Sequence, residues 1–165
     1  MKSTCPSMAA LMLALGLTLA GCPEGGPTDP DPSLRLEVGT GQQQQFIPLT
    51  DGETLLLQRG CQGGQHIFVS LRAWGLPPNP VMLDLSLTRA EDGQGVAPPF
   101  RVRFLFTQAT GDAPDEATGL VFQLTQPDQA VGRTVRLTAS VETDAGQTAE
   151  DSHTGPLQWG PSACP

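Results

Sequence analysis

From Leu34 onward the chain alternates apolar and polar residues with a period of two, and this narrows the available folds more than any other feature. Val81, Leu83, Leu85 and Leu87 alternate with Met82, Asp84, Ser86 and Thr88. Val135, Leu137, Ala139 and Val141 alternate with Thr134, Arg136, Thr138, Ser140 and Glu142. Successive side chains of a strand point to opposite faces, so such runs bury one face and wet the other only as β-strands. Residues 34–38, 46–49, 54–58, 100–107 and 120–124 repeat the pattern in shorter form. Turn residues separate them, among them Asp51-Gly52, Glu91-Asp92-Gly93 and Asp144-Ala145-Gly146.

The densest run is residues 65–74. Ile67, Val69, Leu71 and Ala73 share one face; His66, Phe68, Ser70, Arg72 and Trp74 share the other. Large groups on both faces predict a central strand, and Pro77-Pro78 stops it. The segment 110–119 reads as a polar, acidic connection, residues 147–154 as a polar edge strand, and 155–165 as an irregular tail. Nothing after Cys22 carries a helical period. About eight short strands with turns between them predict an all-β antiparallel β-sandwich over residues 34–165. Its core is expected to hold Ile67, Val69, Leu71, Val135, Leu137 and Val141.

The N-terminus obeys other rules. Lys2 precedes an uncharged apolar run, residues 8–20, too short for a membrane span and of the length of a signal-peptide core. It ends in Leu19-Ala20-Gly21-Cys22. These four residues resemble the lipobox of bacterial lipoproteins. That resemblance implies a signal-peptide helix in residues 1–21, cleavage between Gly21 and Cys22, and lipid on Cys22 as the membrane anchor. Residues 22–33, rich in Pro, Gly and Asp, are then a disordered tether. Pro23 rather than Asp follows the cysteine, which in familiar sorting rules resembles export to the outer membrane. The expected location is therefore the cell envelope, lipid-anchored.

Two further resemblances concern the domain. The last hairpin, with its alternation, Asp-x-Gly turn and polar return strand, resembles the closing strands of immunoglobulin-like and fibronectin-like domains. Residues 59–76, around Gln62-Gly63-Gly64-Gln65-His66, resemble a segment of uncharacterised predicted lipoproteins of Gram-negative bacteria. That likeness implies no activity.

Cysteine use follows from export. Of the four cysteines, Cys5 leaves with the signal and Cys22 is consumed by lipid. Cys61 and Cys164 remain, and an oxidising compartment favours a disulfide between them.

Charge removes one class of partner. The chain carries −8, and about −9 once Lys2, its one lysine, is cut away. Such a surface repels phosphate backbones, so no nucleic acid is expected. Catalytic signals are weak. The imidazoles are His66 and His153 alone, with no Gly-x-Ser-x-Gly elbow after the signal and no Cys-x-x-Cys pair. A zinc set of His66, His153 and Asp151 lacks paired spacing. Asp144, Glu150 and Asp151, or Asp29 and Asp31 in the tether, match no calcium loop. Trp74 and Trp159 suit sugar stacking but suit plugging the ends of a sandwich better. The expectation is no catalytic residue, no metal site and no cofactor.

Three functions fit. The first is a non-enzymatic binding or structural module that docks an envelope protein partner. The second is a sugar- or metal-binding protein, or a small hydrolase, with an unrecognised site. The third is an accessory subunit of an envelope assembly.

Overall fold

A computed structural model describes residues 34–42 and 44–161. The signal peptide, Cys22, the tether and Cys164 lie outside the described residues.

The strands are β1 (Arg35–Thr40), β2 (Ile47–Pro48), β3 (Leu55–Arg59), β4 (Gln65–Trp74), β5 (Val81–Arg89), β6 (Phe100–Phe104), β7 (Asp115–Leu124), β8 (Thr134–Glu142) and β9 (Thr148–Trp159). One 3-10 turn, Pro127–Gln129, links β7 to β8. The domain is all-β, with strand order β2-β1-β4-β3-β9-β8-β5-β6 and β7 on the other flank of β4. The sheet is mixed and curls around a single core.

Strands β4, β5 and β8 form where the alternation is cleanest. Ile67, Val69, Leu71 and Ala73 of β4 are buried, as are Val81, Leu83, Leu85 and Leu87 of β5 and Val135, Leu137, Ala139 and Val141 of β8. All belong to one apolar cluster with Leu57, Phe122, Leu124 and Leu157. The six core residues expected from the sequence are among them. Burying a whole Val or Leu side chain contributes about 1.5–3 kcal/mol, so these rows are the main source of stability.

Three expectations are corrected. The pairing is not wholly antiparallel, because β3 runs parallel to β9, with Leu55, Leu56 and Leu57 opposite Leu157, Gln158 and Trp159. Strand β7 begins at Asp115, inside the segment expected to be a connection. Its first half hides behind a bulge: between Val69 and Leu71 of β4 the register shifts, and Gly119, at φ 68°, takes up the extra residue. Finally, β9 runs through Gly155-Pro156 to Trp159, inside the segment expected to be an irregular tail, and Leu157–Trp159 pair with β3; Thr148–Thr154 pair only with β8 among the described residues, as expected of an edge. Glycine is needed at 155 because a Cβ there would collide with the Glu53 carbonyl oxygen.

Candidate binding surface

The functional candidates gather on the outer face of β1, β4 and β7. Register decides which side chains meet there. Arg35 lies opposite Trp74, Glu37 opposite Arg72, and on the other flank Glu116 opposite Arg72, Val121 opposite Phe68 and Gln123 opposite His66. Directly opposed residues share a face, so these groups form one continuous surface.

At one end of that surface, arginines lie over aromatic rings. The Arg35 guanidinium sits 3.6 Å from the centroid of Trp74. Arg72 sits 4.2 Å from the Phe46 ring, and its Nε donates to Glu116 Oε1 at 2.9 Å. A planar cation over a π face is held electrostatically, and the carboxylate fixes the guanidinium plane. Arg72 and Glu116 each keep about a third of their side-chain surface exposed (34% and 34%), so both remain reachable. A shallow depression bounded by Trp74, Arg72, Glu116, Thr107 and Pro114 opens here.

The other end is built on the glycine loop before β4. Gly60 N–H donates to Gly64 O at 2.7 Å and Gly63 N–H to Gly60 O at 3.0 Å, which folds the loop back onto β4. His66 then packs edge-on to Phe68, with centroids 4.8 Å apart at 87°. His66, Val121 and Gln123 border a second depression with Gly60, Cys61 and Gly64. Val121 keeps 55% of its surface exposed, unusual for a valine in a strand.

Ser70 joins the two ends. It is fully buried; its Oγ donates to Gln45 O at 3.1 Å and accepts from Gly119 N–H at 3.1 Å. One hydroxyl thus holds the glutamine-rich loop and the β7 bulge against β4. Neither contact is legible from spacing, because both partners are backbone groups distant in sequence.

The remaining candidates have structural partners. Asp151 Oδ2 accepts from Val38 N–H at 2.7 Å and lies 3.1 Å from His153 Nε2, while Oδ1 accepts from Ser152 N–H at 2.8 Å. Asp151 therefore ties β1 to β9. His66 sits on β4, apart from this pair, and among the described residues no group of three or more His, Cys, Asp or Glu is placed to hold a metal. Trp159 is half-buried against the core with Arg59 over its ring at 4.1 Å. Asp144 is exposed and bound bidentately by Arg103, at 3.1 Å on each oxygen, which holds the Arg103 guanidinium above its ordinary range. Cys61 stands exposed at the glycine loop and is not a free thiol. Its expected partner, Cys164, lies outside the described residues. Among the described residues no helix is long and apolar enough to cross a membrane.

No protein-family model, no curated protein and no solved structure matches this chain.

Proposed function

We propose that this chain is a lipid-anchored protein of the bacterial cell envelope whose domain is a non-enzymatic binding module. The anchor is lipid on Cys22 after cleavage between Gly21 and Cys22, and the location is the outer membrane. The domain is an immunoglobulin-like sandwich. Strands β2, β1, β4 and β7 make one layer and β6, β5, β8 and β9 the other, with β3 passing between them through its pairing with both β4 and β9; the single core they share supports this reading. A disulfide from Cys61 to Cys164 closes it, worth up to about 4.7 kcal/mol for a loop near 100 residues in the chain-entropy model.

One observation carries the binding role: the outer face of β4 presents His66, Phe68, Arg72 and Trp74 half-buried in a row, with Arg35 and Glu116 beside them. Aromatic and arginine side chains on a rigid sheet lose little entropy on contact and supply most of the energy at protein interfaces. The partner is an envelope protein. Cross-linking in intact cells tests this. A discrete partner should be captured by the wild type and lost in Arg72→Ala and Trp74→Ala. Capture unchanged in both variants would refute the assignment of this face. For the anchor, Cys22→Ser should abolish incorporation of labelled fatty acid and leave an uncut precursor.

A further inference from the structure

We propose that the cleft where β1 and β3 part from β4 is a second binding site, and that its ligand is an uncharged stretch of peptide carrying an aliphatic side chain. The site is distinct from the Arg72–Trp74 end of the outer face and does not rest on what that end binds.

The sheet makes the cleft by splitting. Strand β7 accompanies β4 along one flank, from Gln65 to Ala73. On the other flank β1 pairs with residues 70–74 and β3 with 65–66. Among the described residues no strand pairs there with Ile67, Phe68 or Val69. In an antiparallel ladder, two directly opposed residues either exchange both hydrogen bonds or both turn away. The Phe68 carbonyl accepts the Thr40 hydroxyl of β1 at 2.9 Å. Phe68 and Val121, opposite it, therefore turn away from each other, and β7 bonds to β4 through Leu120, Phe122 and Leu124. The Phe68 N–H and C=O face the split. The resulting cleft holds about 330 Å³, at the lower end of the range for small-ligand sites. Thr40, Gln45 and Ile47 border it on the β1–β2 side, Leu56 and Gln58 on the β3 side.

Gln58 points to the ligand's chemistry. It is only 9% exposed. Among the described residues its carboxamide makes no hydrogen bond, and no side-chain nitrogen or oxygen is both sealed and unpartnered. The Gln58 amide oxygen and nitrogen therefore reach open space, and the cleft is what Gln58 borders. Gly160 backs the amide: its N–H donates to the Leu57 carbonyl at 2.9 Å, and a Cβ on it would stand 2.6 Å from Gln58 Nε2. A carboxamide nine-tenths out of water and without a partner favours a ligand that brings a donor and an acceptor side by side, as an amide does.

The rest of the cleft selects for peptide. None of the residues lining it is charged. The chain's −8 repels an anion, and a cation would meet no carboxylate inside. Ile47 and Leu56, 51% and 47% exposed, are two of the four large hydrophobics left exposed among the described residues. They border the cleft from its two sides, so an aliphatic side chain between them takes apolar surface out of water on both. A sugar ring edged with hydroxyls does not.

Nitrogen-15 spectra of the full-length chain, titrated with N-acetyl-leucine methylamide, test this. The Gln58 carboxamide and the Ile47 and Leu56 amides should shift and saturate, with a dissociation constant on the order of 1 mM for a ligand of this size. Gln58→Leu, which removes the amide, and Gly160→Ala, which displaces it, should each weaken binding about tenfold. Leu56→Ser should weaken it about threefold and keep the wild-type thermal midpoint, since Leu56 is exposed. A titration without saturable shifts at these residues would overturn the proposal. So would equal binding of N-acetyl-leucine with its carboxylate free, tighter binding of N-acetylglucosamine at the same residues, or binding indifferent to Gly160→Ala.

Discussion

Strands β6 and β7 are both sheet edges above the same core, and they are finished in opposite ways. On β6, Arg101 reaches Asp84 at 3.5 Å and Glu142 at 3.4 Å, and Arg103 holds Asp144 at 3.1 Å and donates to Pro80 O at 3.2 Å. Strand β6 is five residues long and follows Pro98-Pro99. A foreign strand arriving there would have to displace hydrated, paired guanidiniums. Strand β7 is ten residues long, uncharged over its second half, and topped by an exposed valine. Both edges bury aromatic side chains, and Phe100 meets Phe122 edge-on at 6.0 Å. The difference is therefore not in how the edges are supported but in what each allows to approach.

The largest expected effect comes from removing what the edges share. Phe122→Ala leaves a cavity under β7 and takes a ring from Phe100 under β6, so it should cost about 3–5 kcal/mol. Urea unfolding followed by circular dichroism reads this directly. Next comes the β7 surface: Val121→Glu should change the unfolding free energy by less than about 0.5 kcal/mol, since Val121 is exposed. A variant that loses stability instead would mean that Val121 supports the fold, and the contrast between the edges would collapse.

The contrast was only partly legible in the sequence. The strand at 81–88 could be read because its inward residues are aliphatic and its outward ones mostly polar, and that at 65–74 because every second residue from Ile67 to Ala73 is aliphatic. The first half of β7 could not. Asp115, Glu116, Thr118 and Gly119 look like a loop because the bulge breaks the period, and the polar residues find partners in Arg72, Ser70 and the 107–109 segment. The end of β9 was obscured by Gly155-Pro156, whose presence answers the close approach of Glu53 rather than a chain reversal. The outer-face cluster was half visible. His66, Phe68, Arg72 and Trp74 follow from alternation within one strand, but Phe46, Arg35 and Glu116 join them only through long-range register.

Smaller effects sharpen the comparison from the β6 side. Replacing Arg101 and Arg103 together by Ser should barely move the unfolding midpoint, because exposed ion pairs contribute little. The same change should raise light scattering at high protein concentration, since it leaves β6 as unguarded as β7. The least effect is expected at the turn after β5. There the Arg89 side chain, then the Gln94 backbone N–H, hold the Asp92 carboxyl below its ordinary range. A lowered folded-state value means that this turn's contribution is present above the ordinary carboxylate range. It is lost as pH falls through the depressed value. An acid titration should therefore show a slight loss of stability below about pH 4 that disappears in Asp92→Asn.

Amide hydrogen exchange along β7 tests the central claim most directly. In dilute full-length protein, the amides of Leu120, Phe122 and Leu124 should exchange slowly and those of Val121 and Gln123 fast, since only the first set bonds to β4. Protection of all five amides, or fast exchange at Leu120, Phe122 and Leu124, would contradict a β7 edge bonded to β4 on one side and open on the other.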